Sequence, residues 1–320
     1  MNISVLGCGR WGSFLAWYVQ KQGHNVVCYG PGDATYQELS KTRKNEYVTY
    51  PDSIVLTDNL QKAVDHGDII IVAIQAQGLR SFLQKVVTHP VQGKKFVLCM
   101  KGIEEETGKR LSEVALDCGI AKDSVAVWVG PGHIQDFVRG VPNAMVIDSY
   151  CSELTKTLAD TLSSNLIRFY YGSDIIGTEI GAATKNILGL LSGMLDGLGL
   201  GALKGALMAR GAREVARLIK VMGGHELSAY GLCHLGDYEA TLFSKHSHNR
   251  LWGERYVQNK PFEKLAEGVA TARAVQKLAD KHGVDMPLTR TVDCAIRGRM
   301  TPEEILAMLY KRSAKTEFED

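Results

Sequence analysis

Several short stretches of this 320-residue sequence combine residue types and spacings that could do chemistry. Gly7-Cys8-Gly9-Arg10-Trp11-Gly12 follows a run of apolar and β-branched residues and precedes a helical pattern. In that setting the first glycine permits a tight turn, the second lets backbone approach a pyrophosphate, and the third packs helix on strand. The free N–H groups and positive end of the helix then face the phosphates. The stretch predicts a dinucleotide site. A second stretch, Glu179-Ile-Gly-Ala-Ala-Thr-Lys-Asn-Ile-Leu-Gly, puts Lys185 and Asn186 in an otherwise small and apolar helix. A structural lysine would have to snorkel out of it, whereas a functional one would face a cleft with its pKa open to adjustment. The apolar surroundings favour function.

Leu235-Gly236-Asp237, Thr241 and Ser247-His248-Asn249-Arg250 form a dense polar group after a glycine turn. They read as an anion or polyol site on a loop, or as a plain solvated loop. Lys101, in Met100-Lys101-Gly102-Ile103-Glu104, ends a buried strand at the carboxyl edge of a sheet, where open α/β sheets bind ligands. Gly130-Pro131-Gly132 shares that edge or is only a turn. An acidic residue about twenty positions beyond the fingerprint would bind the ribose of NAD. Asp33 has that spacing but reads better as the N-cap of a helix over Ala34–Leu39. With no basic residue near it until Lys41, NAD is favoured over NADP. The nine histidines are not spaced for a metal, and His246 and His248 are not expected to hold one.

These groups need elements to position them. Strands are expected at Asn2–Leu6, Asn25–Tyr29, Asp68–Ile74, Phe96–Met100, Val125–Val129, Asn143–Ile147 and Ile167–Tyr171, separated by helix-length segments. That alternation implies βαβ units and a parallel sheet. Beyond Gly172 only helical spacing remains, at Glu179–Leu198, Lys204–Met222 and Glu263–His282, with a last helix opened by Pro302-Glu303-Glu304. The expected division is a dinucleotide-binding domain over 1–172 and an all-helical substrate domain over 173–320.

Composition narrows the class. Basic and acidic residues number 37 and 35, so the formal charge of +2 gives no reason to expect nucleic acid or an anionic membrane as partner. The seven cysteines, none at Cys-x-x-Cys spacing, read as reduced thiols. The start lacks a signal-peptide pattern, and Ile187–Ala209 is broken by Asp196, Lys204 and glycines. A cytoplasmic enzyme without a membrane span is the expectation.

The sequence resembles the NAD(P)-dependent glycerol-3-phosphate dehydrogenase family, in order and over most of its length. The resemblance rests on the Gly7–Gly12 fingerprint with Trp11, Lys101-Gly102-Ile103-Glu104, Thr107-Gly108, Leu111-Ser112-Glu113-Val114 and Gly130-Pro131. It continues through Glu179-x-Gly-x-x-x-Lys185-Asn186, Asp196-Gly-Leu-Gly-Leu-Gly201, Arg210-Gly211, Leu235-Gly236-Asp237, Asn249-Arg250, Glu267-Gly268 and Gly283-Val284-x-Met286-Pro287. It implies a Rossmann-type domain followed by an all-α domain like that of 6-phosphogluconate dehydrogenase. It also implies a homodimer that interconverts sn-glycerol 3-phosphate and dihydroxyacetone phosphate for glycerophospholipid synthesis. Carried over by position, Lys185 is the acid/base, supported by Lys101 and Asp237. Gly130, Gly132, Asn186, Thr241, Ser247, His248 and Asn249 join them around the substrate. Gly7, Gly9, Arg10, Trp11, Gly12, Lys101, Ile134, His248 and Glu267 fall at cofactor positions.

The chain departs from the family at several points. His248 stands where an arginine usually precedes Asn-Arg, and imidazole cannot copy a bidentate phosphate contact. His234 replaces glycine in Gly-Leu-Gly-Asp, Gly132-His133 replaces Ser-Phe, Gln75 replaces a proline, and Pro31 replaces an arginine often found at the end of the second strand. A sister dehydrogenase acting on another small phosphorylated or acidic hydroxy compound is therefore an alternative. A non-catalytic dinucleotide sensor is a third reading, one that would have no need of Lys101, Lys185 and Asp237 together.

Overall fold

Eight strands form one sheet in the computed structural model, which describes residues 1–301, 304, 305, 307, 316 and 317. They are β1 (Asn2–Leu6), β2 (Asn25–Tyr29), β3 (Ile54–Thr57), β4 (Ile69–Val72), β5 (Lys95–Leu98), β6 (Val125–Val129), β7 (Asn143–Ser149) and β8 (Ile167–Tyr171). Their order is β3-β2-β1-β4-β5-β6-β7-β8, so the chain reverses direction across the sheet between β1 and β4. A crevice opens at such a reversal, outside the carboxyl ends of the strands. The helices between strands are α1 (Arg10–Lys21), α2 (Ala34–Thr42), α3 (Leu60–His66), α4 (Leu79–Val86), α5 (Leu111–Asp117), α6 (Ile134–Val138) and α7 (Ser152–Leu162).

Burial on both faces explains the strand sequences. In β4, Ile69 and Ile71 join the core with Phe14, Trp128 and Ile147, while Ile70 and Val72 join Leu83, Phe96 and Val114 on the other side. A strand without a polar face must be apolar throughout, and Ile69-Ile-Ile-Val72 is.

Two features differ from the sequence expectation. The β6–β7 pair is antiparallel, whereas every other neighbouring pair is parallel. The connection contains only the five-residue α6. That is too little helix for a full parallel crossover, while the 11-residue α7 suffices for the parallel return to β8. The second feature is β3, an edge strand with Val55 exposed, whose apolar run Ile54-Val55-Leu56 is too short to stand out as a strand.

Beyond β8 the described chain is helical: α8 (Ile175–Gly197), α9 (Lys204–Val221), α10 (His248–Val257), α11 (Glu267–His282) and α12 (Pro287–Ile296). The division expected at 172/173 falls in the link between β8 and α8. Pro302 and Glu303, expected to open a last helix, lie outside the described residues. α8 is buried almost all round: apolar and small residues dominate it, and its buried polar groups Glu179, Lys185 and Asn186 have partners. A Cβ on Gly193 would come within 1.8 Å of the Arg250 carbonyl oxygen, and one on Gly253 within 1.9 Å of that of Leu190. Glycine is therefore what lets α8 and α10 cross backbone to backbone.

A buried polar contact seats α8 on the sheet. The Glu179 carboxylate accepts from Arg110 Nη1 at 2.6 Å and from the Ser112 N–H at 2.8 Å. Burial pushes the Glu179 pKa up, and Arg110 opposes that shift. Among the described residues no helix is long and apolar enough to cross a membrane.

Candidate active site

The fingerprint glycines have three separate physical jobs. Gly7 has φ +118°, and a Cβ there would meet the Ala73 carbonyl oxygen at 2.4 Å. A Cβ on Gly12 would meet the Gly7 oxygen at 1.8 Å, so Gly12 lies packed under the turn and does not line the cleft. At Gly9 a Cβ would meet nothing within 4 Å, and the residue caps α1 without a side-chain bond. The first N–H groups of α1 therefore open on clear space beside Arg10 and Trp11. An anion fits such a place without a built-in competitor.

That space is the end of a cleft of about 720 Å³ between the carboxyl edge of the sheet and the helical half. Gly7, Gly9, Arg10 and Trp11 line one side, with the Arg10 guanidinium 5.5 Å over the Tyr47 ring. Lys101, Gly132 and Ile134 come from the ends of β5 and β6. The opposite wall holds Lys185 and Asn186 of α8, Thr241, then Ser247, His248 and Asn249, and finally Glu267 at the start of α11. Ser247–Asn249, expected on a loop, is instead the first turn of α10: the Ser247 hydroxyl accepts from the Arg250 N–H as its N-cap. Gly130 lies behind the wall and contributes its carbonyl to Lys101.

At the centre, two lysines share one carboxylate oxygen. Asp237 Oδ2 lies 2.5 Å from Lys185 Nζ and 2.6 Å from Lys101 Nζ. Asp237 is 1% exposed and sits behind the lysines, not on the cleft surface; among the described residues its Oδ1 has no hydrogen-bond partner. Lys185 also donates to Thr241 Oγ1 at 2.7 Å, and Lys101 to the Gly130 carbonyl at 2.8 Å. Burial brings the Lys185 pKa down to about 7; Asp237 opposes the fall and Lys101 adds to it. An amine poised there can carry a proton in either direction near neutral pH.

His234, one of the departures, supports this centre from behind. It is fully buried, with Nδ1 2.8 Å from the Gly181 carbonyl and Nε2 2.6 Å from the Tyr238 hydroxyl. Burial lowers its pKa to about 4, so it is a neutral bridge pinning the turn before Asp237 to α8 one helical turn from Lys185. Asn249 ties three elements: its Nδ2 donates to Asn186 Oδ1 and its Oδ1 accepts from the Gly268 N–H, both at 3.0 Å.

Two cleft residues, His133 and His246, were given no site role from sequence. The ring of His133, which follows the Gly130–Gly132 turn, meets the ring of His246 edge-on with centroids 5.7 Å apart. Burial, with Lys185 and Arg10 nearby, lowers the His133 pKa to about 4. Its place just after a strand's carboxyl end was the available signal. His248, with Nδ1 3.3 Å from the Leu265 carbonyl, has its pKa lowered by burial and by Arg10. Burial raises the Glu267 pKa, and the Ala76 N–H 3.5 Å away opposes this. Asp33 N-caps α2, accepting from the Tyr36 N–H at 2.9 Å, and also reaches the cleft wall beside Pro31. Among the described residues no three His, Cys, Asp or Glu are grouped to hold a metal ion.

The arrangement can hold a dinucleotide at α1 and move a proton at an oxygen atom beside Lys185. Comparison with known proteins points the same way. Residues 2–155 match the family described as NAD-dependent glycerol-3-phosphate dehydrogenase N-terminus, and residues 174–307 match its C-terminus counterpart. A glycerol-3-phosphate dehydrogenase [NAD(P)+] of Pelodictyon phaeoclathratiforme is 35% identical, covering 99% of each chain. One of Prosthecochloris aestuarii is 34% identical over 99% of this chain and 100% of its own. The solved structure of glycerol-3-phosphate dehydrogenase from Coxiella burnetii superposes with a TM-score of 0.88 at 25% identity, covering 97% of this chain and 98% of that one.

Proposed function

The chain belongs to the NAD-dependent glycerol-3-phosphate dehydrogenase family, and from that premise we propose how its cleft interconverts sn-glycerol 3-phosphate and dihydroxyacetone phosphate. The carrying observation is Lys185: a buried amine with a pKa near 7, paired to Asp237 and opening on the same cleft as the Gly9 turn.

Bound NAD(P)H supplies a hydride to the ketone carbon. As the ketone oxygen gains negative charge, cationic Lys185 stabilises it and delivers the proton that completes the alcohol. In the oxidative direction neutral Lys185 accepts the hydroxyl proton, and the Lys101 charge helps keep it neutral. Asp237 holds both lysines in place. The first turn of α10, with the N–H groups after Ser247 and the side chains of His248 and Asn249, faces the substrate phosphate. Gly132 and Asn186 border the same space. The phosphate's binding energy fixes the carbonyl against Lys185. Gly7, Gly9, Arg10 and Trp11, packed over Gly12, would hold the cofactor's phosphates, and Ile134 and Glu267 of the same cleft would border the rest of it. NAD is preferred, because Asp33 stands at the cleft beside Pro31 and would repel a ribose phosphate. A homodimer in the cytoplasm supplying glycerol 3-phosphate to glycerophospholipid synthesis completes the reading.

The direct test mixes purified protein with dihydroxyacetone phosphate and follows absorbance of NADH and, separately, NADPH. Fast oxidation, quicker with NADH, is expected. Tight cofactor binding without oxidation would overturn the substrate assignment and favour the sister dehydrogenase, and no turnover on any hydroxy-phosphate or hydroxy-acid would favour the sensor. His248 keeps a second reading open, a different phosphorylated or acidic hydroxy substrate. His248→Arg restores a bidentate guanidinium and is expected to lower KM for dihydroxyacetone phosphate by about fivefold or more. An unaltered KM would remove position 248 from the phosphate site.

A further inference from the structure

The segment that carries Thr241, Ser247 and Asn249 into the cleft has little regular structure of its own. It is a π-helical turn over Glu239–Phe243, then an irregular stretch, then the cap of α10. A short turn leaves carbonyl groups without partners inside the element, and these need donors from elsewhere. At Leu242 the carbonyl accepts from Ser192 Oγ at 2.8 Å and from Lys204 Nζ at 2.9 Å. The Lys204 ammonium also meets Asp196 Oδ2 at 2.7 Å, and the same oxygen lies 2.6 Å from Arg250 Nε. One carboxylate at the C-terminal end of α8 thus holds both ends of the cleft-facing segment: Leu242 through Lys204, and the first turn of α10 through Arg250.

None of these three side chains lines the cleft. The packing of α8 on α10 does not depend on them either, because the backbones already meet at Gly193 and Gly253. Ser192 at Leu242, Asn186 and Gly268 at Asn249, and Glu254 at Arg250 also hold residues 242–250, but among the described residues only Asp196 links the two ends of that segment through one carboxylate. We propose that Asp196 is a positioning residue for phosphate recognition, acting through Lys204 and Arg250. This rests on the phosphorylated-substrate reading above. Two partly buried cations converge on a single carboxylate, so its charge is what keeps them together. With Asn at 196 the shape persists and the convergence does not.

The experiment compares wild type with Asp196→Asn, Lys204→Met and the double variant. For each, KM and kcat with dihydroxyacetone phosphate, Kd for NADH by fluorescence, and Tm are measured. A small shift of the cleft-facing segment should raise KM about tenfold in each single variant, with kcat held within about threefold. Kd for NADH, whose phosphate site is built on α1 and which meets this segment only at His248, should change by no more than about twofold. The double variant should be no worse than the poorer single one, since both act through one contact. A wild-type KM in the singles would overturn the proposal. So would a parallel loss in KM, kcat, cofactor Kd and Tm, which is the mark of general loosening. If Asp196→Asn does not fold, Lys204→Met decides, because it leaves the Asp196–Arg250 pair in place. Absence of turnover in wild type would instead sink the substrate reading, and this inference with it.

Discussion

Lys185→Ala is expected to lower kcat by about a hundredfold or more, the usual scale for removing a general acid–base group. Binding of NADH and the folded structure should survive, because Asp237 keeps Lys101 at 2.6 Å as its partner. The wild-type enzyme supplies the matching pH signature. Lys185 has a pKa brought down to about 7 by burial. Reduction of the ketone needs the protonated amine, so its rate should fall as pH rises through that value. Oxidation of the alcohol needs the neutral amine, so its rate should rise over the same interval. Two limbs of opposite slope crossing near neutrality are therefore the expected result in wild type, and both should vanish in Lys185→Ala. A variant that keeps its turnover, or wild-type rates flat from about pH 6 to 8 in both directions, would remove Lys185 from proton transfer.

How much of this could be read beforehand depends on what each residue type reveals without its neighbours. Lys185 was legible because a lysine among Gly, Ala, Ile and Leu has no cheap structural explanation. The fingerprint was legible because its spacing follows from backbone geometry: the Gly9 position is open, and Gly7 and Gly12 are closed by carbonyl oxygens. Asp237 stood out only as one member of a dense polar group after a glycine turn, and its place beside Lys185 came from the family resemblance alone. Its near-complete burial between two lysines arises from contacts across 52 and 136 positions of chain, which no local pattern encodes. His133 and His246 were noted but not placed in the cleft for the same reason, since a histidine after a turn reads alike whether it faces a cleft or water. Apolar periodicity marked the strands buried on both faces, but it could not give the direction of β7 or find the half-exposed β3. Asp33 caps α2 as expected and also lines the cleft, a position that residue type alone could not reveal.

The same cross-chain contacts make Asp237→Asn the more informative substitution. The amide is nearly isosteric and can still accept a hydrogen bond, so what disappears is one buried negative charge opposite two cations. Breaking a buried ion pair from one side typically costs about 3–5 kcal/mol of stability, and a lower Tm is expected. The catalytic effect has a direction of its own. Asp237 opposes the fall in the Lys185 pKa, while Lys101 and burial drive it. Without the carboxylate only the downward influences remain, so Lys185 should titrate below its wild-type value of about 7. The falling limb of ketone reduction moves to lower pH, and at pH near 7.5 the rate should drop for want of the acid. Alcohol oxidation loses less there, because the neutral amine it uses is already present. The unequal loss separates an electrostatic role from a merely structural one, which would reduce both directions alike and leave the midpoint in place. An unmoved midpoint in Asp237→Asn would mean that the proton carrier is not the lysine it touches.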